Sequence, residues 1–437
     1  MPSDKTVDRS RLRLRIPERA QVAMRLECPE DLVPEDHPVR MIWSVTERLD
    51  LAPFYTEVRA VEGEAGRDAT DPRLLVALWL YAATEGVGSA RELSRLCSEH
   101  RAYQWLCGGV SVNYHLLSDF RVGHATALDN LLTQVIAALV SQKLVQVWRI
   151  SQDGTRVRAC AGGGSFRRRS RLAELHQQAR EHVEQLRQRL EDPQQSAGLS
   201  ARQRSAQQRA ARERAERLEK ALARLPELEA RQQALSEKSS ATQRKDLREP
   251  RVSTTDPQTS IMRMSDGGYR PAVNVQLACD PQSRAIVGVE VSNRGVDVGQ
   301  SAPMRQQVEQ RTGESVREHL LDGGYLNFEE IEQAPKDDVQ LFVPPKPVRN
   351  REKRKDPYEP RPGDSEAVAA WRERMGSAEG QEIYKLRGQT IETINADLKT
   401  HRGLDHLTVR GVDKIRCVAL WSALAYNLLH FGRFLSA

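Results

Sequence analysis

Three carboxylates stand out in a chain that lacks most other catalytic vocabulary. Asp153 follows a Val-rich stretch, Asp322 follows the apolar pair Leu320-Leu321, and Glu392 lies in a late segment of helical pattern. Carboxylates brought together from strand ends can hold Mg²⁺ or Mn²⁺, hard cations that select oxygen ligands. Two such ions would activate a water or a 3′-hydroxyl and stabilise the leaving oxygen of an in-line phosphoryl displacement. The familiar alternatives are missing: there is no HExxH, no GxSxG elbow and no dinucleotide fingerprint. Gly162-Gly163-Gly164-Ser165 lacks the Lys-Ser/Thr ending of a phosphate-binding loop. Ten histidines are dispersed, and six cysteines form no CxxC pair, which fits free thiols in a reducing cytoplasm rather than zinc or disulfides.

The most specific cluster is Tyr384, Arg387, Glu392 and Lys399, an acid, two cations and a phenol on one helical stretch. Glu392 and Lys399 are seven apart and share a helix face. A carboxylate for metal beside cations for phosphate is what cutting or joining DNA requires. The tetrapeptide Asp-Gly-Gly-Tyr occurs at Asp266 and again at Asp322, and context separates the two. Asp266 precedes a strand and has the pattern of a hairpin turn. Asp322 ends a strand, where open α/β sheets place ligands, and is the one chosen for the site. Asp256, in Ser253-Thr254-Thr255-Asp256-Pro257, fits a turn or a supporting position.

These residues must be carried by a scaffold of more than one unit. The chain has 437 residues and a net charge of +6, with 39% apolar and 29% charged residues, enough for a real core. The longest near-apolar run, Leu74 to Ala83, is half of the ~20 residues that a spanning helix needs. The N-terminus mixes charges without an apolar stretch, so no signal peptide is expected. Residues 1–40 look like a basic flexible arm, with Arg9, Arg11, Arg13 and Arg15 near its start. Residues 41–147 have the pattern of a helical DNA-binding domain. Asp71-Pro72 opens one helix, Ser89-Ala90-Arg91-Glu92 is a capping box for the next, and Gly108-Gly109 turns into a third beginning at Ser111. Helix, tight turn, helix is the outline of a helix-turn-helix, and the last helix would present Asn113, His115, Ser118 and Arg121 to phosphates and base edges. A strand over Val145 to Ile150 begins the core at 148–164. Residues 165–250, rich in Arg, Glu, Gln and Ala, predict an inserted helical hairpin or coiled coil. Residues 251–437 return to strands, then helices, with a basic Pro-rich loop carrying Lys346, Arg349, Arg351, Lys353, Arg354 and Lys355. That loop is expected to contact DNA backbone without sequence preference. The whole is an α/β chain with a helical insertion.

The chain resembles bacterial insertion-sequence transposases of the DDE type, in the group with a Tyr-Arg-Glu-Lys signature, and is most similar to insertion-sequence family eleven-eighty-two. The likeness runs over roughly residues 40–435. It is carried by Asp71-Pro72-Arg73-Leu74-Leu75, Ser111-Val112-Asn113-Tyr114-His115, Ser118-Asp119-Phe120-Arg121, Asp153-Gly154-Thr155, the Ser253–Pro257 segment, Asp322-Gly323-Gly324-Tyr325 and Tyr384 to Lys399. The resemblance implies a ribonuclease-H-like core, with an N-terminal all-α domain and the helical hairpin added to it. It implies Asp153, Asp322 and Glu392 as a triad for two Mg²⁺ or Mn²⁺ ions, and Tyr384, Arg387 and Lys399 as DNA-contacting residues. Double-stranded DNA, as element ends and target, would be the partner, with a homodimer assembled on it in the bacterial cytoplasm and nucleoid. The expected activity is binding of terminal inverted repeats, cleavage at the ends, and transfer of 3′ ends. A nuclease without strand transfer and a catalytically silent DNA-binding descendant are the rival readings. One departure matters: four residues, not three, separate Arg387 from Glu392. In one α-helix the two then sit about 140° apart, so a break or π-bulge near Gly388 to Thr390 is expected.

Overall fold

The computed structural model describes residues 19–20, 22, 26–56, 58–60, 68–192, 198–238, 249–346 and 356–436. Among the described residues, a 3-10 turn (Pro29–Leu32) and seven α-helices come first: α1 (Pro38–Arg48), α2 (Ala52–Tyr55), α3 (Pro72–Thr84), α4 (Ala90–Glu99), α5 (Arg101–Cys107), α6 (Tyr114–Gly123) and α7 (Ala125–Ser141). Their starts follow local chemistry. Asp71 Oδ1 accepts the Arg73 amide at 2.8 Å ahead of Pro72, and Ser89 Oγ accepts the Glu92 amide at 3.3 Å. Asn113 Oδ1 accepts the Leu116 amide at 3.0 Å, so α6 begins three residues later than the sequence pattern suggested. Helix α3 is buried on every side, at the centre of this bundle. Residues 29–40, expected as the end of a flexible arm over 1–40, are folded. Val33 and Val39 are in the core, and Arg40 donates to Glu30 O at 2.7 Å and Val33 O at 3.1 Å, so 29–40 belong to the bundle. The many charges there hid two short apolar anchors. Arg9, Arg11, Arg13 and Arg15 lie outside the described residues.

The sheet follows. Strand β1 (Arg149–Arg158) pairs antiparallel with β5 (Tyr269–Cys279), whose far edge carries β4 (Ser260–Arg263) and β6 (Ile286–Ser292), also antiparallel. On its other edge β1 pairs parallel with β7 (Glu318–Leu320), which pairs parallel with β8 (Gln340–Phe342). The order is therefore β6-β5-β1-β7-β8, three antiparallel strands continued by two parallel ones. Helix α10 (Ser301–Thr312) links β6 to β7, and α11 (Phe328–Gln333) lies between β7 and β8. Helices α12 (Glu366–Gly376), α13 (Ala378–His401) and α14 (Val412–Ser436) complete the chain. The insertion between β1 and β4 is a pair of antiparallel helices, α8 (Arg169–Glu191) and α9 (Ala201–Lys238). It closes on Leu172, Ala179, Leu218, Ala221 and Leu225, and the Arg169–Glu229 pair at 2.6 Å joins the start of one helix to the later half of the other. Its root is stitched by β2 (Phe166–Arg167) against β3 (Val252–Ser253).

Helix α14 joins the two halves of the molecule. It packs on α1, α3, α6 and α7 and on β6, and from Ile415 to Leu428 nearly every side chain is buried. Asn427 bonds the backbone of Ile286 at 2.9 Å in both directions, and the Trp421 indole donates to Arg121 O at 3.0 Å. One apolar cluster thus runs from Val33 through the N-terminal bundle to the sheet and α14. The N-terminal helices and the sheet share a core.

Candidate active site

The sheet brings Asp153 and Asp322 to adjacent parallel strands. Asp153 lies in the middle of β1, opposite Leu277 of β5, rather than just past a strand end as the sequence suggested. The polar run Ser151-Gln152 and the following Gly154 disguised the strand, but Ser151 and Gln152 are buried in it. Asp322 follows β7 and caps the short turn Gly323–Tyr325, its Oδ1 accepting the Gly324 amide at 2.7 Å. The twin tetrapeptide does otherwise. Asp266 sits in the exposed β4–β5 turn, accepts from the Gly268 amide at 2.9 Å, and is held down to about 2 by Arg270 first and that amide second. Asp256 is buried and bonds the Gln258 and Gly411 amides, each at 3.2 Å, so it fastens a turn to the segment ahead of α14.

Helix α13 lies across this pair. Arg387 Nη2 donates to Asp153 Oδ1 at 2.8 Å, Nη1 donates to Glu392 Oε1 at 2.8 Å, and Asp322 Oδ2 is 4.0 Å from Nη2. Asn395 Nδ2 donates to Asp153 Oδ2 at 2.9 Å. Three carboxylates thus converge on one guanidinium whose side chain is 9% exposed. Burial pushes the Asp153 carboxyl up to about 6, against the pull of Arg387, and Asp322 and Asp297 add repulsion. Burial opposes the charge of Arg387, yet Asp153, Tyr384, Asp322 and Glu392 together hold its pKa above the ordinary value. Tyr384 is half-buried with its pKa raised, mainly by burial; Lys399 is half-buried with its pKa lowered by burial, against the pull of Asp405 and Asp153.

The expected break at Gly388 is absent, because α13 is one continuous helix from Ala378 to His401. At about 100° per residue, Tyr384, Asn395, Lys399 and Glu392 fall about 60°, 80°, 120° and 140° round the axis from Arg387. All five therefore occupy one half of the helix surface, and two long side chains at the edges of that arc meet over its middle. An extra residue is absorbed by side-chain length, not by the backbone.

Other expected contacts fall differently. His115 and Ser118 are exposed on α6, and Asn113 is its exposed cap. Arg121 instead turns inward: it donates to Gly88 O, lies 5.0 Å over the Trp79 ring, and burial brings its pKa down to about 10. It lies beside Phe120 and one turn beyond Leu117, both buried, so it stands on the edge of the helix face turned to α3 and helps hold the bundle. Lys346 is exposed beyond β8, while Arg349, Arg351, Lys353, Arg354 and Lys355 lie outside the described residues. Among the described residues no group of three or more His, Cys, Asp or Glu side chains is arranged to hold a metal ion, since Arg387 stands between the acids. The donors themselves fit a hard divalent cation: all are carboxylate oxygens, and all already face one positive charge.

Several residues of the site escaped the sequence reading: Asn395, Asn274, Gln276 and Asp297. Asn274 and Gln276 alternate with Val273, Val275 and Leu277 in a buried strand, and two amides at period two among valines were the available signal. Asn395 stands three residues after Glu392, one turn along the same face.

Comparison with known families adds an independent line. A family model described as "Transposase domain (DUF772)" matches residues 27–122, and one described as "Transposase DDE domain" matches 346–431. The two matches cover most of the N-terminal bundle, short of α7, and the segment bearing α13, and together they support an insertion-sequence transposase. No curated protein and no solved structure matches the chain. No helix among the described residues is long and apolar enough to cross a membrane.

Proposed function

We propose that the protein is a DNA transposase of the DDE type with a ribonuclease-H-like core, that it binds the terminal inverted repeats of its element, cleaves the ends and transfers the 3′ ends to target DNA. The observation that carries this is the convergence of Asp153, in the middle of β1, Asp322, just past the carboxyl end of β7, and Glu392 on the Arg387 guanidinium. The strand order β6-β5-β1-β7-β8 supports the ribonuclease-H-like reading, and the order of Tyr384, Arg387, Glu392 and Lys399 on one helix supports the Tyr-Arg-Glu-Lys signature of family eleven-eighty-two, from which it departs by one extra residue between Arg387 and Glu392. Asp153, Asp322 and Glu392 are the residues that would hold Mg²⁺ or Mn²⁺, whose chemistry is to activate the attacking oxygen and stabilise the leaving one.

The chain's own residues do the rest. Asn395 and Arg387 fix the two oxygens of Asp153 in direction, and Arg387 offsets the mutual repulsion of the acids. Lys399 and Tyr384, on the same half of α13, are placed to meet phosphate. Exposed His115, Ser118 and Asn113 of the bundle are the candidates for end recognition, with Lys346, Arg349 and Arg351 for backbone contact. A homodimer on two ends would bring two such sites together.

Incubating the protein and its Asp153→Ala, Asp322→Ala and Glu392→Ala variants with labelled element ends and Mg²⁺ tests the reading. Joined products from the parent, with binding but no cleavage by each variant, are expected. Cuts without joining would leave a nuclease, and binding without cutting by the parent would leave a silent DNA-binding protein.

A further inference from the structure

Asp297 lies in the loop between β6 and α10, and it is 9% exposed. Its Oδ1 accepts from Asn274 Nδ2 at 2.7 Å and from Gln276 Nε2 at 2.8 Å. Gln276 Oε1 in turn accepts from the Tyr325 hydroxyl and from Gln152 Nε2 at 2.8 Å. Tyr325 ends the turn that Asp322 begins. A chain of hydrogen bonds therefore runs from Asp297 through Gln276 and Tyr325 to the loop holding Asp322.

The same carboxylate also abuts the neighbour of Asp153. Successive residues of a strand face opposite ways. Asp153 meets α13, so Gly154 faces the other side, where a Cβ would lie 2.2 Å from Asp297 Oδ1 and 2.3 Å from Gln276 Nε2. A Cβ at Gly324 would lie 2.8 Å from Asp322 Oδ1 and 3.2 Å from Asp297 Oδ2. Asp297 thus sits behind both acids and touches the backbone beside each.

We infer that Asp297 is a positioning residue of the site, setting the spacing of Asp153 and Asp322 by fixing the Gln276 amide. This rests on the transposase reading for its kinetic consequence. An ionised carboxylate only accepts hydrogen bonds, so both amides must turn their NH₂ groups to it. The Gln276 carbonyl is then delivered to Tyr325, and Asn274 Oδ1 is left with no donor among the described residues. A neutral amide at 297 could donate or accept, and the Gln276 orientation would no longer be imposed.

Asp297→Asn keeps size and hydrogen bonding while removing that constraint. In the free protein, with 3-fluorotyrosine placed at position 325, the variant is expected to shift or split the fluorine resonance; a single unmoved signal would overturn the inference. On element ends, the variant should cleave about ten to a hundred times more slowly, as expected for a misplaced catalytic group, with end affinity unchanged. The double variant with Tyr325→Phe should be no slower than the slower single one, because both act through one chain of bonds. A cleavage rate within about twofold of the parent, or effects that simply multiply, would also overturn it. A parent that binds ends and never cuts them would count against the transposase reading, and the fluorine signal then decides the role of Asp297.

Discussion

Replacing Arg387 by Met keeps much of the side chain's bulk and removes the one cation that three carboxylates share. The magnitude follows from how each partner is buried. The Asp153 side chain is 17% exposed and 2.8 Å away, a buried pair whose disruption costs about 3–5 kcal/mol because an uncompensated charge remains. Glu392 is also at 2.8 Å, but its side chain is 57% exposed, so its share is under about 1 kcal/mol. Asp322, at 4.0 Å and 38% exposed, adds less. A loss of about 3–5 kcal/mol, dominated by Asp153, is therefore expected in urea unfolding with EDTA present. The variant also leaves three acids facing one gap. Mn²⁺ should then stabilise the variant by about 2.7 kcal/mol at a hundredfold excess over its dissociation constant, and the parent by less. Combining Arg387→Met with Asp153→Asn should restore most of the EDTA loss, since the stranded charge is gone. An unfolding energy within about 1 kcal/mol of the parent in EDTA would refute the buried pair. Equal Mn²⁺ responses in variant and parent would refute the convergence of the acids.

Arg121→Ala should destabilise the bundle by about 1–3 kcal/mol through its lost bond to Gly88 and lost packing on Trp79, while the salt dependence of DNA affinity keeps its slope; a flatter slope would return Arg121 to the DNA surface. Gly388→Ala should stabilise α13 by about 0.5–1 kcal/mol, since a Cβ there comes no closer than 3.9 Å to Glu392, and a destabilised variant in chemical denaturation would reveal a backbone need for glycine. Gly154→Ala should cost about 1–3 kcal/mol or more, because the new methyl meets Asp297 and Gln276; an unchanged unfolding midpoint would show that the network yields freely. Asp322→Ala should abolish end cleavage and Asp266→Ala should leave it intact, as gel analysis of labelled ends would reveal, and the reverse pattern would exchange the twin tetrapeptides.

Much of the scaffold was legible because its signals are local. Asp71-Pro72 and Ser89 start helices by satisfying amides within three residues, and the Val-rich runs of β5 and β6 alternate as buried strands do. Asp322 was separable from Asp266 for the same reason, since the apolar pair before it marks a strand end. What stayed hidden depends on distant partners. β1 runs through polar Ser151 and Gln152 because β5 supplies Gln276 opposite, more than a hundred residues away. Arg121 has the pattern of a surface cation until Gly88 and Trp79 close round it. Helix α13 was expected to break because Cβ directions alone put Arg387 and Glu392 on nearly opposite faces, whereas the two meet at the ends of long side chains. Asp297 gave no signal, being one acid in a polar loop whose meaning lies in three other segments.

The central place of α14 has a consequence for synthesis. Helices α1, α3 and α7 leave the ribosome long before residues 412–436 are made, yet their apolar faces close on that helix. Until it arrives, the nascent bundle keeps a large hydrophobic surface in contact with water or chaperone, a condition that favours aggregation and proteolysis. A message broken or frameshifted upstream of residue 412 would therefore yield fragments that keep this surface uncovered and are open to clearance, as the finished protein is not.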